Sequence, residues 1–162
     1  MSAPIISATK STPFLYRLTL LTLEPICAVL GAYSTYFTPA GYLETMTRGL
    51  VPYATSSRFL YTELSGAWLY FAFVEAVVLR AYDDLRLWRL LCAGMLLSDV
   101  LYCTSAVQAV GGWASWATLG AWTAGDWSVF VASLPPMLVR IFLILGIGIT
   151  PVVASSVTEK QK

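Results

Sequence analysis

Three ionisable side chains stand where a chain of this composition should keep none: Glu24, Asp99 and Arg140 each fall inside a long apolar run. Two carboxylates beside one guanidinium can do acid–base chemistry. An ionised carboxylate takes a proton from water or a hydroxyl, and a protonated neighbour gives one to a substrate oxygen. One arginine does not fully compensate two or three carboxylates in a low dielectric, so at least one of them is expected to keep its proton. The competing reading is structural: Arg140 pairs with Asp99 or Glu24 and pins the register of the helices. Tyr102 and Cys103 follow Asp99 by three and four residues and so share nearly the same helix face. Tyr102 reads either as a proton or hydrogen-bond donor or as an interior aromatic. Glu63 is a further candidate, toward the outer end of its run. Glu75 lies toward the inner end, where Arg80 is placed to neutralise it. Pro25, directly after Glu24, withholds one backbone hydrogen bond from the Leu21 carbonyl and predicts a kink. Irregular backbone at membrane depth is tolerated where it lines a polar cavity.

The elements that hold these residues follow from the composition. The 162 residues are 57% hydrophobic and 12% charged, with a mean hydropathy of +0.70, whereas soluble chains average roughly 45–50% apolar and about 25% charged. So much apolar surface belongs in lipid, where a crossing helix needs about 20 apolar residues. Runs at 14–36, 59–79, 88–110 and 130–152 predict an all-α transmembrane bundle of four helices with up-down topology, the whole of 1–162 forming one integral membrane domain. A cleaved signal peptide is the rival reading of the first run, but Glu24 and Pro25 at its centre argue against it. The connections read as a turn at Thr38–Gly41 with a polar stretch to Arg58, a tight charged turn from Arg80 to Arg89, and a Gly- and Trp-rich segment before the fourth span. Small residues such as Gly31, Gly66 and Gly94 would let the helices approach closely. Ser155 to Lys162 reads as a disordered tail.

Orientation follows from the basic residues. With both termini cytoplasmic, Lys10, Arg17, Arg80, Arg86, Arg89, Lys160 and Lys162 lie inside, against Arg48 and Arg58 outside, as the retention of positive charge on that side requires. Trp113, Trp116, Trp122 and Trp127 then fall at the outer interface, either as headgroup-level anchors with wet N–H groups or as a lid over a cavity. With no peroxisomal or retrieval signal at Lys160–Lys162, the endoplasmic reticulum is the expected membrane.

Several function classes drop out. Histidine is absent, which removes imidazole haem ligation, the usual zinc sites and any histidine acid or base. Cys27, Cys92 and Cys103 have no CxxC spacing, so a dithiol centre of the vitamin K epoxide reductase type is not expected and they read as apolar fillers. A net charge of +1 without a basic tract gives nucleic acid no footing. No metal or organic cofactor is implied. The expected partners are the bilayer and a lipophilic small-molecule substrate.

The strings LEPICAVLGAY in span one, SDVLY in span three and GDW before span four, together with an acidic span two, resemble a family of small four-span fungal membrane proteins of polyketide and terpenoid pathways, similar to the epoxide hydrolases of the citreoviridin and aurovertin type. The resemblance covers about Phe14 to Leu145. It implies opening of polyene-derived epoxides, with Glu24, Asp99 and Asp126 as the positions that carry over. The trio Glu24, Arg140 and Asp99 also resembles, in chemistry alone, the arginine between two acids of soluble limonene epoxide hydrolases. A likeness to sterol isomerases and membrane terpene cyclases is weakened by the missing histidine. The expectation is a membrane-embedded hydrolase or cyclase of secondary metabolism. Its alternatives are a terpene cyclase or isomerase acting by protonation, or a non-catalytic scaffold or assembly protein; a transporter is disfavoured by the absence of inverted repeats.

Overall fold

A computed structural model describes residues 4–154. The expected tail, and with it Lys160 and Lys162 of the charge count, lies outside the described residues. Four helices are long and apolar enough to cross a membrane: α1 (Phe14–Phe37), α3 (Thr55–Ala81), α4 (Leu85–Ala109) and α5 (Ala124–Leu145). A shorter helix, α2 (Pro39–Thr47), links the first two. The protein is thus an all-α, multi-pass membrane protein.

The largest differences from the expected boundaries have reasons that lie in the caps. The fourth span begins six residues earlier and ends seven earlier than the apolar run suggests. Thr123 and Asp126 form a reciprocal capping box that starts α5, and Gly146, at φ 77°, ends it in the left-handed region open to glycine. The turn and polar stretch expected after Thr38 are instead α2: Pro39 occupies the first helical position, where its missing N–H costs nothing. Of these three glycines Gly31 stands at a close helix approach, since a Cβ there would meet the Trp68 ring at 3.3 Å; Gly66 and Gly94 face open space.

The bundle is solid at one end and hollow at the other. At the end that holds both described termini, Leu20, Leu79, Leu85, Trp88 and Leu143 are fully or almost fully buried together. The Trp88 N–H donates to the carbonyls of Leu79 and Tyr82, both at 2.9 Å. Residues 5–7 pair with 152–154 across this end. Asp83 ties them down by accepting from the Ser7 hydroxyl at 2.6 Å and the Thr9 N–H at 2.7 Å. Its slight burial opposes ionisation, but those donors win and hold the carboxyl below its usual range. A depressed carboxyl stabilises the fold above its unfolded pKa of about 3.9 and loses that contribution as pH falls through the folded value. Acidification through that window, or Asp83→Asn, is expected to raise amide hydrogen exchange of residues 7–12 several-fold without melting the spans.

Candidate functional site

The four spans meet in one charged cluster, and each contributes one member. Arg140 of α5 donates through Nη1 to Asp99 of α4 and through Nη2 to Glu24 of α1; Nη2 also donates to Glu75 of α3 at 2.7 Å. Helix geometry explains the convergence. Pro25 has no N–H for the Leu21 carbonyl, and the helix answers with a π-turn over Thr19–Leu23 that ends at Glu24. A second π-turn, Val74–Val78, carries Glu75. Such bulges re-aim side chains and recur at functional sites. The freed Leu21 carbonyl accepts from Arg80 Nη2 at 2.6 Å.

Several expected placements are thereby corrected. Arg80 caps the irregular turn of α1 and does not neutralise Glu75, which is completely buried against Arg140. Arg140 lies five residues before the end of α5, toward the end of the bundle that holds both described termini. Glu63 is exposed on the outside of α3, away from the cluster. Asp126 stands apart at the opposite end of α5, where both its oxygens accept from Arg48 Nε at 3.0 Å.

Above the cluster lies a cavity of about 550 Å³, within the size range of small-molecule sites. Glu24, Asp99 and Arg140 form its floor, and Glu75 sits behind them without lining it. Asp99 keeps 23% of its side chain exposed and Glu24 13%, against none for Glu75. Glu24 Oε2, Glu75 Oε2, Arg140 Nε and, in the wall, Trp68 Nε1 are buried atoms that have no hydrogen-bond partner among the described residues. Such orphans carry a desolvation cost that an occupant or water can relieve. Tyr102 reaches the same cavity; its hydroxyl contacts Met46 Sδ at 3.7 Å and its ring meets Trp68 edge-on. All three cysteines are free, with Cys27 at the cavity and Cys92 in the core.

The roof is α2, which brings Tyr42, Thr45 and Met46 over the cavity. Burial, with the Tyr102 and Tyr61 phenols nearby, holds the Tyr42 phenol above its ordinary range, so it stays a neutral donor. Of the two readings of the tryptophans, the lid is not met: α2 and not the tryptophan segment lies over the cavity. Trp116, Trp122 and Trp127 instead stack with Phe130, and the Trp122 N–H is not wet but donates to the Trp116 carbonyl at 2.7 Å. Asp126 serves this roof: it caps α5 and latches Arg48, the residue that ends α2 in a left-handed conformation. Asp126→Asn is expected to lower stability by about 1–3 kcal/mol through lost capping and a weakened, partly buried pair. A thermal melt in detergent checks this, with the charged cluster left intact.

Sequence reasoning missed Glu75 as a cluster member, and it missed Pro135 and Pro136 in the middle of α5. Pro136 has no N–H for the Ala132 carbonyl, and Ala132 lines the cavity. The chain belongs to the DUF7704 family, a domain of unknown function, whose family model matches residues 9–150. No curated protein and no solved structure matches the chain.

Proposed function

We propose that this member of the DUF7704 family is a membrane-embedded acid–base enzyme that opens a lipophilic epoxide, as a hydrolase or cyclase of secondary metabolism. The observation that carries the reading is two carboxylates, Glu24 and Asp99, held by one buried guanidinium at the floor of a lipid-depth cavity. A hydrophobic chain partitions into the bilayer and lies along the apolar walls, so its oxygen alone reaches the polar floor. Asp99, the more accessible carboxylate, takes a proton from water or from a substrate hydroxyl. The oxygen so released forms a bond to an epoxide carbon while that carbon's C–O bond breaks. Glu24 gives its proton to the departing epoxide oxygen, and return of one proton from Asp99 to Glu24 resets the pair. Arg140 holds Asp99 ionised and in place. Tyr102 lies within the cavity as a further donor. Glu75 touches Arg140 but not the cavity, and acts as a positioning residue. By the basic-residue distribution both termini are cytoplasmic, and the expected membrane is the endoplasmic reticulum.

A second reading has its own support: one cluster member per span is the arrangement a structural clamp would need. Membranes containing the protein, incubated with a panel of long-chain and polyene epoxides and followed by mass analysis, separate the two. The enzyme yields products that have gained one water or isomerised to cyclic ethers. A panel left unconverted by folded protein removes the hydrolase reading and leaves the clamp.

A further inference from the structure

The cavity presents more negative charge and more lone pairs than its own residues satisfy. Even with the proton that Glu24 carries in the acid–base reading, ionised Glu75 and Asp99 leave a formal charge of −1 around the one guanidinium. Oε2 of Glu24, in the floor, has no partner among the described residues, and neither has Oε2 of Glu75 behind it. Higher in the cavity, the hydroxyls of Thr45, Ser105, Ser128 and Ser133 donate to carbonyls of their own helices at 2.9, 2.8, 2.7 and 2.7 Å. Their protons are thus engaged, which leaves oxygen lone pairs as what these lining hydroxyls can offer an occupant. Between floor and roof stand the rings of Trp68 and Tyr102, 5.5 Å apart between centroids, with Phe71 also in the lining and Tyr42 in the roof. Aromatic faces together with desolvated carboxylates are the surroundings that hold an organic cation. From Ser128 to Arg140 the α5 wall runs about 18 Å at 1.5 Å per residue, enough for a hydrocarbon chain to lie along it.

We propose that this cavity binds a lipophilic cation, its positive centre held between the Trp68 and Tyr102 rings and the Glu24–Asp99 floor. As a statement of substrate class it rests on the acid–base reading above, because acid opening of an epoxide places positive charge on carbon. As a statement of binding it stands on charge and ring placement, and its test needs no turnover.

Dodecyltrimethylammonium is the probe, titrated onto the protein in lipid nanodiscs beside its neutral isostere 2,2-dimethyltetradecane and the anion dodecyl sulfate, with empty nanodiscs subtracting partition into lipid. The ammonium is expected to bind saturably, at least tenfold tighter than the isostere, with no competition from the anion. Asp99→Asn, which removes the ionised carboxylate of the floor, is expected to weaken it at least tenfold and Trp68→Leu by about 2- to 30-fold. Glu63→Gln, on the outer face, should leave it unchanged. Equal affinity for the isostere overturns the proposal, as does competition by dodecyl sulfate. Should Asp99→Asn lose its folded elution profile, Trp68→Leu decides, and an unchanged affinity there is equally fatal. Ammonium binding without epoxide turnover keeps the cation site and removes the hydrolase. Turnover without ammonium binding does the reverse.

Discussion

Asp99→Asn is expected to lower turnover of a lipophilic epoxide by about 10²–10⁴-fold while the bundle stays folded and inserted. Asp99 combines exposure to the cavity with a bond from Arg140 Nη1, so it can hold substrate-side water without losing its position. Asparagine keeps the size and one carbonyl oxygen for Arg140 to donate to, and removes only the basicity. The substitution also takes one negative charge from a cluster that has one in excess when Glu24 carries its proton, so the charge count predicts a melting temperature at or above that of the native protein. The kinetic signature should be loss of kcat with KM nearly unchanged, since the proton transfer belongs to the transition state and the apolar chain carries the ground-state binding. Glu75→Gln offers the contrast: a positioning residue should affect kcat less, and the remaining activity should keep the native pH profile. Unaltered turnover in folded Asp99→Asn would exclude it as the base. Loss of the fold in the same variant would favour the clamp.

The long spans were legible because apolar runs of this length have few other uses, and Glu24, Asp99 and Arg140 stood out because charge inside such runs is costly. The errors arose where hydropathy is silent. The span-four limits shifted because a hydropathy run does not register caps; Thr123-x-x-Asp126 is a helix-start signature that the apolar run alone passed over. α2 was hidden because Pro39 and Gly41 read as a turn, whereas proline equally opens a helix. Glu63 and Glu75 are twelve residues apart, which puts them about 120° apart on a helix, so both could not face the same interior; that arithmetic favoured one of them without saying which. Glu75 entered the cluster through a π-turn whose extra residue no periodicity count anticipates. Pro25 marked the Leu21 carbonyl as freed, but that Arg80 would claim it depended on how α1 and α3 pack.

Arg140→Met is expected to be the most destabilising single substitution in the chain, at about 3–5 kcal/mol, enough to abolish a monodisperse folded species in detergent. Arg140 is 98% buried, and its guanidinium joins the other three spans through Glu24, Glu75 and Asp99. Without it, three carboxylates share a low-dielectric space with no counter-charge, and they must either take up protons or separate the helices. Arg140→Lys is expected to rescue only in part, because a point ammonium lacks the planar fork that reaches two helices through Nη2 and a third through Nη1. The decisive comparison adds Glu24→Gln, Glu75→Gln and Asp99→Asn to Arg140→Met. If the damage in the single variant is uncompensated charge, neutralising the acids should recover most of the lost stability, a strongly non-additive result. If the guanidinium matters instead as a hydrogen-bonding post, the quadruple variant should melt no higher than Arg140→Met. Recovery of the fold with turnover still absent would separate the cluster's two capacities, since a neutral bundle can pack without an acid or a base to transfer a proton.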